Sequence, residues 1–501
     1  MKFPGLFIFD LANNHQGQVE HGLRIIREMA QITRRHGVRG AIKFQFRNLE
    51  TFIHPNWERM GGNKHIPRFQ QTRLDGQQFQ RLYEEVRSEK LLAVCTPFDE
   101  VSVDQADRMG FDILKVASCS AQDWPLLEKI SSTGKPLIVS TGGLQIQEID
   151  ELVSFFEHRG NIFGLMHCVS LYPIPPHEFH LKKIQFLKSR YPNLCIGWST
   201  HEVPDMREPI TVAVALGAEM FEKHVGVRAP RIDLNAYSAE PGQVEAWIQV
   251  YLNAKTICGA SNPRVTEQEK SSLASLARGI YVKSEIAAGE VIRRSEVYFA
   301  MPLAAEGLTS GDWQEGLLAI NRITRDQPLL RPSVVQPQEN PKKVLKHAVH
   351  EIKALLNMAK VALNAEFETE FSHHEGVKNF RRTGTTMITC VNREYCKKIL
   401  VQLPGQAHPS HFHRLKEETF RVLAGDLTLR VGEQVKTLGP GDQCLVMPGV
   451  WHDFRSDNGC VFEEISTTHH GNDSVYLENT IAEQKPEMRK TKVKHWGRFE
   501  I

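Results

Sequence analysis

Short apolar runs alternate with longer amphipathic segments along the first half of the chain. Each run has the length of a buried strand, and there are eight of them: residues 6–10, 41–46, 91–97, 113–118, 136–141, 163–169, 195–200 and 220–227. The segments between the runs carry apolar residues at helical spacing, as Leu23, Ile26 and Met29 do. Eight strand–helix repeats predict an α/β fold whose strands close into a (β/α)8 barrel, or TIM barrel, in preference to an open doubly wound sheet.

Composition and charge exclude several classes of protein. Lys plus Arg is 61 and Asp plus Glu is 59 among 501 residues, so the formal net charge of +2 lacks the basic field of a typical nucleic-acid binder. No apolar run approaches the roughly 18 to 20 residues of a membrane span. The first run turns polar at Asp10, which indicates a strand and not a signal peptide, so we expect a cytoplasmic protein. The nine cysteines include no CxxC pair, which argues against a disulfide framework.

Polar side chains stand at or just after the end of nearly every predicted strand. They are Asp10, Lys43, Gln45, Thr96, Lys115, Ser118, Ser140, Ser170, Tyr172, Ser199, His201 and His224. In a (β/α)8 barrel the carboxyl ends of all strands meet at one face, where the active site lies. The pattern therefore predicts a site that holds a charged substrate.

Two pairs of residues suggest the chemistry of this site. Lys43 and Lys115 could surround a phosphate or carboxylate together with the nearby hydroxyls, or each could pair with a neighbouring carboxylate. His201 and His224 end adjacent strands and could bind one divalent cation, with Asp10 and Asp233 near the rim. The alternative for each histidine is a core imidazole without a ligand.

The motifs at the strand ends resemble those of the sialic acid synthase family, over roughly residues 3 to 335. In chain order they read NNHQG at 13–17, KFQ at 43–45, TPFD at 96–99, KVAS at 115–118, STGG at 140–143, HCVSLYP at 167–173, GWSTHE at 197–202 and EKHV at 222–225. The resemblance implies condensation of phosphoenolpyruvate with an N-acylated aldose, giving a nonulosonic acid and phosphate. It also implies an enzyme of the transferase class that serves surface glycan biosynthesis.

Roles for single residues follow from this resemblance. Asp10, Lys43, Lys115, His201 and His224 would be catalytic, and a manganese or magnesium ion would lie on the two histidines. Phosphoenolpyruvate would contact Lys43, Thr96, Lys115, Ser118, Ser140, Ser170 and Ser199, while Gln45, Tyr172 and Asp233 would face the sugar.

The chain departs from the family pattern at three places. Asp10 stands where the family usually has Glu, and the loop that carries Asp233 is short. Residues 280–335 resemble the family's antifreeze-like (SAF, β-clip) domain, which implies a homodimer with this domain swapped between subunits. Family members typically carry an Arg that reaches across the dimer to the acyl group of the sugar, and Met301 occupies that position here.

The last third of the chain has a different pattern. Residues 341–366 are apolar at helical spacing and predict a connecting helix, and short β-type runs between Gly and Pro turns then predict a small β-barrel. His411 and His413 would share one face of a strand, and a carboxylate with His452 would complete a 3-His, 1-carboxylate metal site. The spacing resembles that of the cupin superfamily, which favours Glu418 over Glu417 as the ligand of a Zn²⁺, Mn²⁺ or Fe²⁺ ion.

Two further hypotheses concern this cupin. It could instead bind no metal and serve in dimerisation or sugar sensing. Its QLPGQ and HFH segments are partly similar to the lyxose isomerase branch, which supports an alternative function: a metal-dependent sugar isomerase or epimerase with the barrel as a sugar-binding scaffold. The predicted domains are the barrel at 1–265, the antifreeze-like domain at 266–336, a helical linker at 337–370, the cupin at 371–482 and a basic, flexible tail at 483–501.

Overall fold

The computed structural model describes residues 3–60, 62–337, 341–363, 367–494 and 496. The chain forms two compact units, Met1–Arg264 and Val265–Ile501, and each is described separately below. Among the described helices, we find none with the length and apolar character needed to cross a membrane.

The first unit is built on a closed barrel of eight parallel strands, as the sequence predicted. The strands are β1 (Leu6–Asp10), β2 (Arg39–Phe46), β3 (Leu92–Pro97), β4 (Ile113–Val116), β5 (Leu137–Ser140), β6 (Phe163–His167), β7 (Cys195–Thr200) and β8 (Met220–His224). Strand β1 closes the barrel because it pairs with both β2 and β8, with Asp10 in register with Lys43 on one side and His224 on the other.

Helices cover the outside of the barrel. They are α1 (Val19–His36), α2 (Leu49–Phe52), α3 (Ile66–Gln71), α4 (Gly76–Ser88), α5 (Glu100–Met109), α6 (Trp124–Ser132), α7 (Ile146–His158), α8 (Lys182–Arg190), α9 (Glu208–Ala215) and α10 (Pro241–Cys258). Leu23, Ile26 and Met29, whose spacing predicted a helix, are all buried on α1. Helix α4 begins at a capping box in which Asp75 and Gln78 satisfy each other's backbone N–H groups.

Alternation along the strands explains how one sequence both fills the barrel and builds a site. Leu6 and Ile8 belong to a small cluster that fills the interior, whereas Phe7 and Phe9 pack in the larger core under the helices. Successive side chains of a strand point to opposite faces, so Asp10 continues the inward set of β1. By the same alternation Lys115 points into the barrel on β4, two residues after the inward Ile113. Glu222 likewise points inward on β8, two residues after Met220.

The second unit begins with α11 (Glu267–Leu276) and a segment that has its own small core. Its short strands are β9 (Gly279–Val282), β10 (Val297–Ala300), β11 (Leu318–Ala319) and β12 (Val334–Val335). Ile280, Ile292, Leu308 and Leu329 are fully buried in this core. The assignment of this segment to an antifreeze-like domain stays a prediction.

The remainder of the second unit is a double antiparallel sheet preceded by α12 (Pro341–Met358) and carrying a short late helix, α13 (Asn479–Ala482). The strands are β13 (Glu368–Ser372), β14 (Thr385–Asn392), β15 (Tyr395–Gln402), β16 (Ala407–His413), β17 (Glu418–Gly425), β18 (Leu427–Val431), β19 (Gln434–Leu438), β20 (Gln443–Val446), β21 (His452–Arg455), β22 (Cys460–Thr467), β23 (Ser474–Tyr476) and β24 (Lys490–Lys494). Their order is β20-β17-β22-β15-β14-β13-β24 in one sheet and β19-β18-β21-β16-β23 in the other. This is the predicted cupin-type β-structure.

The helix before the sheets is more than the predicted connector. It ends at Met358, and residues 364–366 of the predicted helix lie outside the described residues. Leu345, Val349, Ile352 and Leu356 share a core with Phe371 and other residues of the sheet. The apolar stripe that suggested a linker therefore packs as part of the cupin core.

The expectation of a flexible basic tail is wrong for residues 490–494. These residues form β24, which pairs with β13 in antiparallel register, Val493 opposite Thr369. Val493 is buried, and Lys492 forms ion pairs with Glu368 and Glu370 at 3.1 and 3.5 Å. The lysines of this strand are not buried, and a lysine-rich sequence is also typical of a solvated chain end.

We expect Val493→Asn to destabilise the second unit, because it places an amide in an apolar core. The free energy of unfolding should fall by about 2 kcal/mol. The matched control is Lys494→Asn, which changes the neighbouring exposed position of the same strand and should cost less than about 0.5 kcal/mol. Urea unfolding followed by circular dichroism measures both, and equal stability of the two variants would contradict the strand assignment.

Candidate active site and metal centre

A buried carboxylate lies at the centre of the barrel's polar cluster. Glu222 Oε1 accepts hydrogen bonds from Lys115 Nζ at 2.5 Å, Lys43 Nζ at 2.9 Å and Ser199 Oγ at 3.0 Å. Burial alone would raise the pKa of Glu222, but the two lysines outweigh it and hold the pKa well below its usual range. The structure thus pairs both lysines with one carboxylate while leaving Glu222 Oε2 buried without a hydrogen-bond partner.

A second carboxylate, Asp10, joins this cluster to the adjacent strands. Asp10 Oδ2 lies 2.9 Å from Lys43 Nζ, 3.2 Å from Gln45 Nε2 and 3.3 Å from His224 Nε2. Burial opposes ionisation of Asp10, yet Lys43 and His224 lower its pKa overall. For Lys43 burial acts to lower the pKa, and the two carboxylates raise it above its ordinary value. Asp10 and Lys43 therefore form a buried ion pair.

Two neutral imidazoles lie beside this ion pair. Burial lowers the pKa of His201 to about 3, and burial also lowers that of His224. Their ring centroids are 5.3 Å apart, and the rings of Tyr172 and Tyr237 pack against them at 4.3 Å from His201 and 5.1 Å from His224. The histidines thus occupy the aromatic side of the site.

The barrel histidines fit a divalent cation. His201 Nδ1–H donates to the Val169 carbonyl at 3.2 Å, which leaves the Nε2 lone pair available. His224 Nδ1 is buried without a hydrogen-bond partner, and its Nε2 is close to Asp10. Neutral imidazoles with a carboxylate at hand are suitable ligands for a metal such as Mn²⁺.

The predicted hydroxyl residues line the same end of the barrel. Thr96, Ser140 and Ser199 are buried, and the Thr96 hydroxyl has no hydrogen-bond partner among the described residues. Gly142 donates its backbone N–H to Ser118 Oγ at 3.2 Å. A Cβ at Gly142 would come within 2.7 Å of Ser118, Cys168 and Ser170, so only glycine admits these three side chains. Unused hydroxyls in a buried site are available to a substrate.

The structure does not bring every predicted residue into this cluster. Asp233 is exposed on the loop after β8, and within the described chain no hydrogen bond or ion pair joins it to the other predicted residues. Glu222 and Tyr237 also belong to the cluster: Glu222 stood in the EKHV motif without an assigned role, and Tyr237 was not predicted. For Glu222 the signal was its inward parity on β8, two residues before His224. Tyr237 lies in a loop, where no periodicity could indicate its position.

The cupin holds the four predicted ligands together. Nitrogen atoms of His411, His413 and His452 and a carboxylate oxygen of Glu418 all lie within 4.8 Å of one another, and all four residues are buried. The Nδ1–H groups point to acceptors: His411 donates to Pro409 O at 3.1 Å, and His452 donates to Val450 O at 3.0 Å. These hydrogen bonds direct the Nε2 lone pairs towards the centre.

One contact in this quartet calls for a cation. His452 Nε2 lies 2.7 Å from Glu418 Oε1, and neither atom makes a hydrogen bond. With its proton on Nδ1, the imidazole presents a lone pair to a carboxylate oxygen, so two acceptors face each other. A divalent ion would satisfy both atoms, and three imidazoles with one carboxylate form a suitable donor set. The cupin could therefore bind a metal at this position.

A buried ion-pair network that the sequence did not reveal adjoins the quartet. Lys416 Nζ lies 2.5 Å from Glu418 Oε2 and 3.0 Å from Glu464 Oε1, and Lys398 Nζ lies 3.2 Å from Glu464. Burial disfavours the charge on Lys416, but Glu464 and Glu418 raise its pKa above the ordinary value. Burial acts to raise the pKa of Glu418, and Lys416 brings it down to about 2. Glu418 is thus ionised, as a metal ligand must be.

Comparison with known proteins agrees with this organisation. The pattern of the NeuB family matches residues 31–262, and that of the cupin domain matches residues 399–462. An uncharacterised protein of Methanocaldococcus jannaschii is 30% identical over 306 residues, which are 60% of this chain and 85% of that protein. The chain belongs to the NeuB family. This confirms the predicted likeness to sialic acid synthases and the predicted C-terminal cupin.

Two further NeuB relatives extend the comparison. The solved structure of a protein assigned as spore coat polysaccharide biosynthesis protein E of Chromobacterium violaceum has 42% identity and a TM-score of 0.64, covering 66% of this chain and all of that one. The N,N'-diacetyllegionaminic acid synthase of Legionella pneumophila is 26% identical over 58% of this chain and 83% of its own length. The relatives of this chain thus include a synthase of N,N'-diacetyllegionaminic acid.

We expect Glu222→Gln to destabilise the barrel, because it leaves two buried lysines with one charged partner fewer. Breaking a buried pair costs about 3–5 kcal/mol, so the urea midpoint should fall clearly. Glu219→Gln is the matched control, because this partly exposed residue pairs with Lys188 at the surface and should contribute less than about 1 kcal/mol. A Glu222→Gln variant as stable as the control would contradict the described cluster.

For the cupin we expect one divalent ion that depends on His411. His411→Ala should lose one equivalent of tightly bound metal, measured by plasma mass spectrometry after chelation and reloading with Zn²⁺, Mn²⁺ or Fe²⁺. His350→Ala, at an exposed histidine on α12, should keep the full equivalent. Undiminished metal content in the His411 variant would rule out the quartet as a site.

Proposed function

We propose that the barrel condenses phosphoenolpyruvate with an N-acyl hexosamine-type aldose, yielding a sialic-acid-like nonulosonic acid and phosphate. The observation that supports this most strongly is the cluster of Lys43, Lys115, Asp10 and Glu222 beside two neutral histidines at the carboxyl ends of the strands. Membership of the NeuB family agrees with this activity.

Phosphoenolpyruvate is the ligand that the two lysines suit. Their ammonium groups would donate to its phosphate and carboxylate, and Glu222 fixes both groups at one place before the substrate arrives. Thr96, Ser118, Ser140, Ser170 and Ser199 would supply hydroxyl donors around it. Burial lowers the pKa of Lys115, so an arriving anion would also stabilise its charged form.

The Asp10–Lys43 pair can manage the protons of the reaction. C3 of phosphoenolpyruvate forms a bond to the aldehyde carbon, and Lys43 Nζ gives a proton to the aldehyde oxygen. Water then adds at C2 and loses one proton to Asp10 Oδ2. The C2–O bond to phosphate then breaks as the C2 hydroxyl becomes the ketone, and the proton of that hydroxyl goes to the leaving phosphate. A proton passes from Asp10 to Lys43 across 2.9 Å, which restores both groups.

A metal on His201 and His224 would act as a Lewis acid that polarises the aldehyde. Around it, Tyr172 and Tyr237 form an aromatic wall against which the sugar can pack, and Gln45 presents an amide to its hydroxyls. Asp233 and a homodimer with exchanged antifreeze-like domains belong to the same proposal. Met301, which is 55% exposed, could not supply the charged contact that the family usually draws from that position.

The cupin supports a second candidate activity, a metal-dependent isomerisation or epimerisation of a sugar. Its favouring observation is the buried Lys416–Glu464 pair next to the predicted metal ligands, because such a site offers both a metal and groups that can move protons. In this alternative the barrel would serve as a sugar-binding scaffold.

The test is phosphate release from phosphoenolpyruvate with Mn²⁺, screened over N-acetylhexosamines and their 2,4-diacetamido and 6-deoxy relatives. We expect release only with a sugar present, and a loss on the order of a hundredfold or more in Lys115→Met and His201→Ala. The control is Lys129→Met, which removes a partly exposed lysine on α6 paired with Asp104 at 2.6 Å and should retain full activity. No release with any sugar would refute the synthase, and the panel would then be assayed for isomerisation that depends on His411.

A further inference from the structure

Arg47 lies just beyond the end of β2, and its guanidinium contacts two aromatic rings. The Cζ atom is 3.6 Å from the ring centroid of Phe98 and 4.2 Å from that of Phe69. Two cation–π contacts at these distances restrict the movement of the guanidinium. One edge nitrogen, Nη2, donates to Gln45 Oε1 at 3.1 Å.

This cation has no anionic partner in the described part of the chain. No ion pair involves Arg47 there, and its Nε is buried without a hydrogen-bond acceptor. The nearby Asp99 carboxylate is occupied, since it accepts from the backbone of Asn48 and Ser102 at 2.8 Å each. Burial lowers the pKa of Arg47 to about 10, so it remains charged at neutral pH. A half-buried, unpaired charge is costly unless an anion reaches it.

The position of Arg47 relates it directly to the proposed sugar site. Lys43 and Gln45 alternate along β2 and Arg47 follows directly after its end, so each of the three lies about 7 Å farther along the strand direction than the one before. Gln45 bridges Arg47 to Asp10, because its Nε2 donates to Asp10 Oδ2 at 3.2 Å. A sugar whose aldehyde reacts near Asp10 and Lys43 would extend outward, with its far end towards Arg47.

Space for that end is present beside Arg47. A cavity of about 510 Å³ is lined by Arg47, Phe69, Phe98, Phe52 and Trp57, among others. Most of its lining comes from the long segment between β2 and α4, which carries α2 and α3. The cavity therefore places aromatic side chains beside the guanidinium of Arg47.

We propose that Arg47 binds an anionic group, a phosphate or a carboxylate, at the end of the sugar opposite its aldehyde. This inference rests on the proposed synthase activity and adds the chemical class of its sugar. It assigns to Arg47 a role in specificity: it selects an anionic sugar and takes no part in bond formation.

Two other roles for Arg47 predict different results. If Arg47 served only to stabilise the fold through its contacts with Phe69 and Phe98, its loss would lower the melting temperature. The affinities for neutral and anionic sugars would then change equally. As a ligand of phosphoenolpyruvate, its loss would weaken the binding of that anion in the absence of any sugar. Both roles are separated from the proposal by measuring binding and turnover for matched sugars.

The experiment compares N-acetylmannosamine with its 6-phosphate and its 6-carboxylate in the Mn²⁺-loaded enzyme. Binding is measured by calorimetry and turnover by phosphate release, for wild type, Arg47→Lys, Arg47→Met and the control Arg73→Met. Arg73 lies on the same segment between β2 and α4, but it is exposed and pairs with Glu50 at 3.1 Å. Thermal melting of each variant reports whether the fold is intact.

We expect the wild type to bind one anionic sugar at least tenfold more tightly than the neutral sugar. Arg47→Met should lose that preference through KM, with little change in kcat or in the melting temperature, while Arg47→Lys should keep part of it and Arg73→Met all of it. Which anion is preferred distinguishes phosphate from carboxylate. Equal affinity for the three sugars in the wild type, or weaker phosphoenolpyruvate binding as the main defect of Arg47→Met, would overturn the proposal. Because calorimetry needs no turnover, failure of the synthase activity itself would be recognised separately.

Discussion

The buried carboxylate of Glu222 holds side chains from three other strands of the barrel in place. An isolated carboxylate in this environment would be costly, and the two ammonium groups and one hydroxyl that donate to it offset that cost. The arrangement exists only because the sheet closes, since closure brings β8 beside β1 and within reach of Lys43 on β2. Lys43 in turn pairs with Asp10, and Asp10 contacts Gln45 and His224.

Much of the barrel could be predicted because inward parity and chain order are properties of the sequence. The eight apolar runs matched the eight strands, and the strand-end residues Lys43, Lys115, His201 and His224 lie at one face as expected. What the pattern could not supply was the partner of each lysine. From the sequence, each lysine could either bind a substrate anion or pair with a carboxylate of the protein. The folded barrel pairs both lysines with Glu222. The pairing depends on the distances between side chains of different strands inside the barrel. The spacing of residues along the sequence does not give those distances.

The cupin illustrates the same limit at two places. His411, His413, Glu418 and His452 were predictable because they follow a short local spacing, and they meet as expected. Lys416 was overlooked, since a lysine between two ligands is typical of a solvated surface, yet it is buried against Glu464. Likewise α12 was interpreted as a linker because its apolar stripe has no partner within its own stretch of chain. Its partners lie on strands that come later in the sequence.

The pairing of β13 with β24 has a consequence for synthesis on the ribosome. Strand β13 is the first of the cupin strands to emerge, and β24 is the last of the strands described. Until translation passes Lys494, one edge of the seven-stranded sheet presents unpaired N–H and C=O groups, a surface prone to wrong pairing. The barrel also depends on a late partner, since β1 pairs with β8, but that pairing can form once translation has passed His224, while the cupin is still being made. The last interval in which a sheet edge is exposed therefore falls at the end of synthesis, when the edge at β13 still lacks β24.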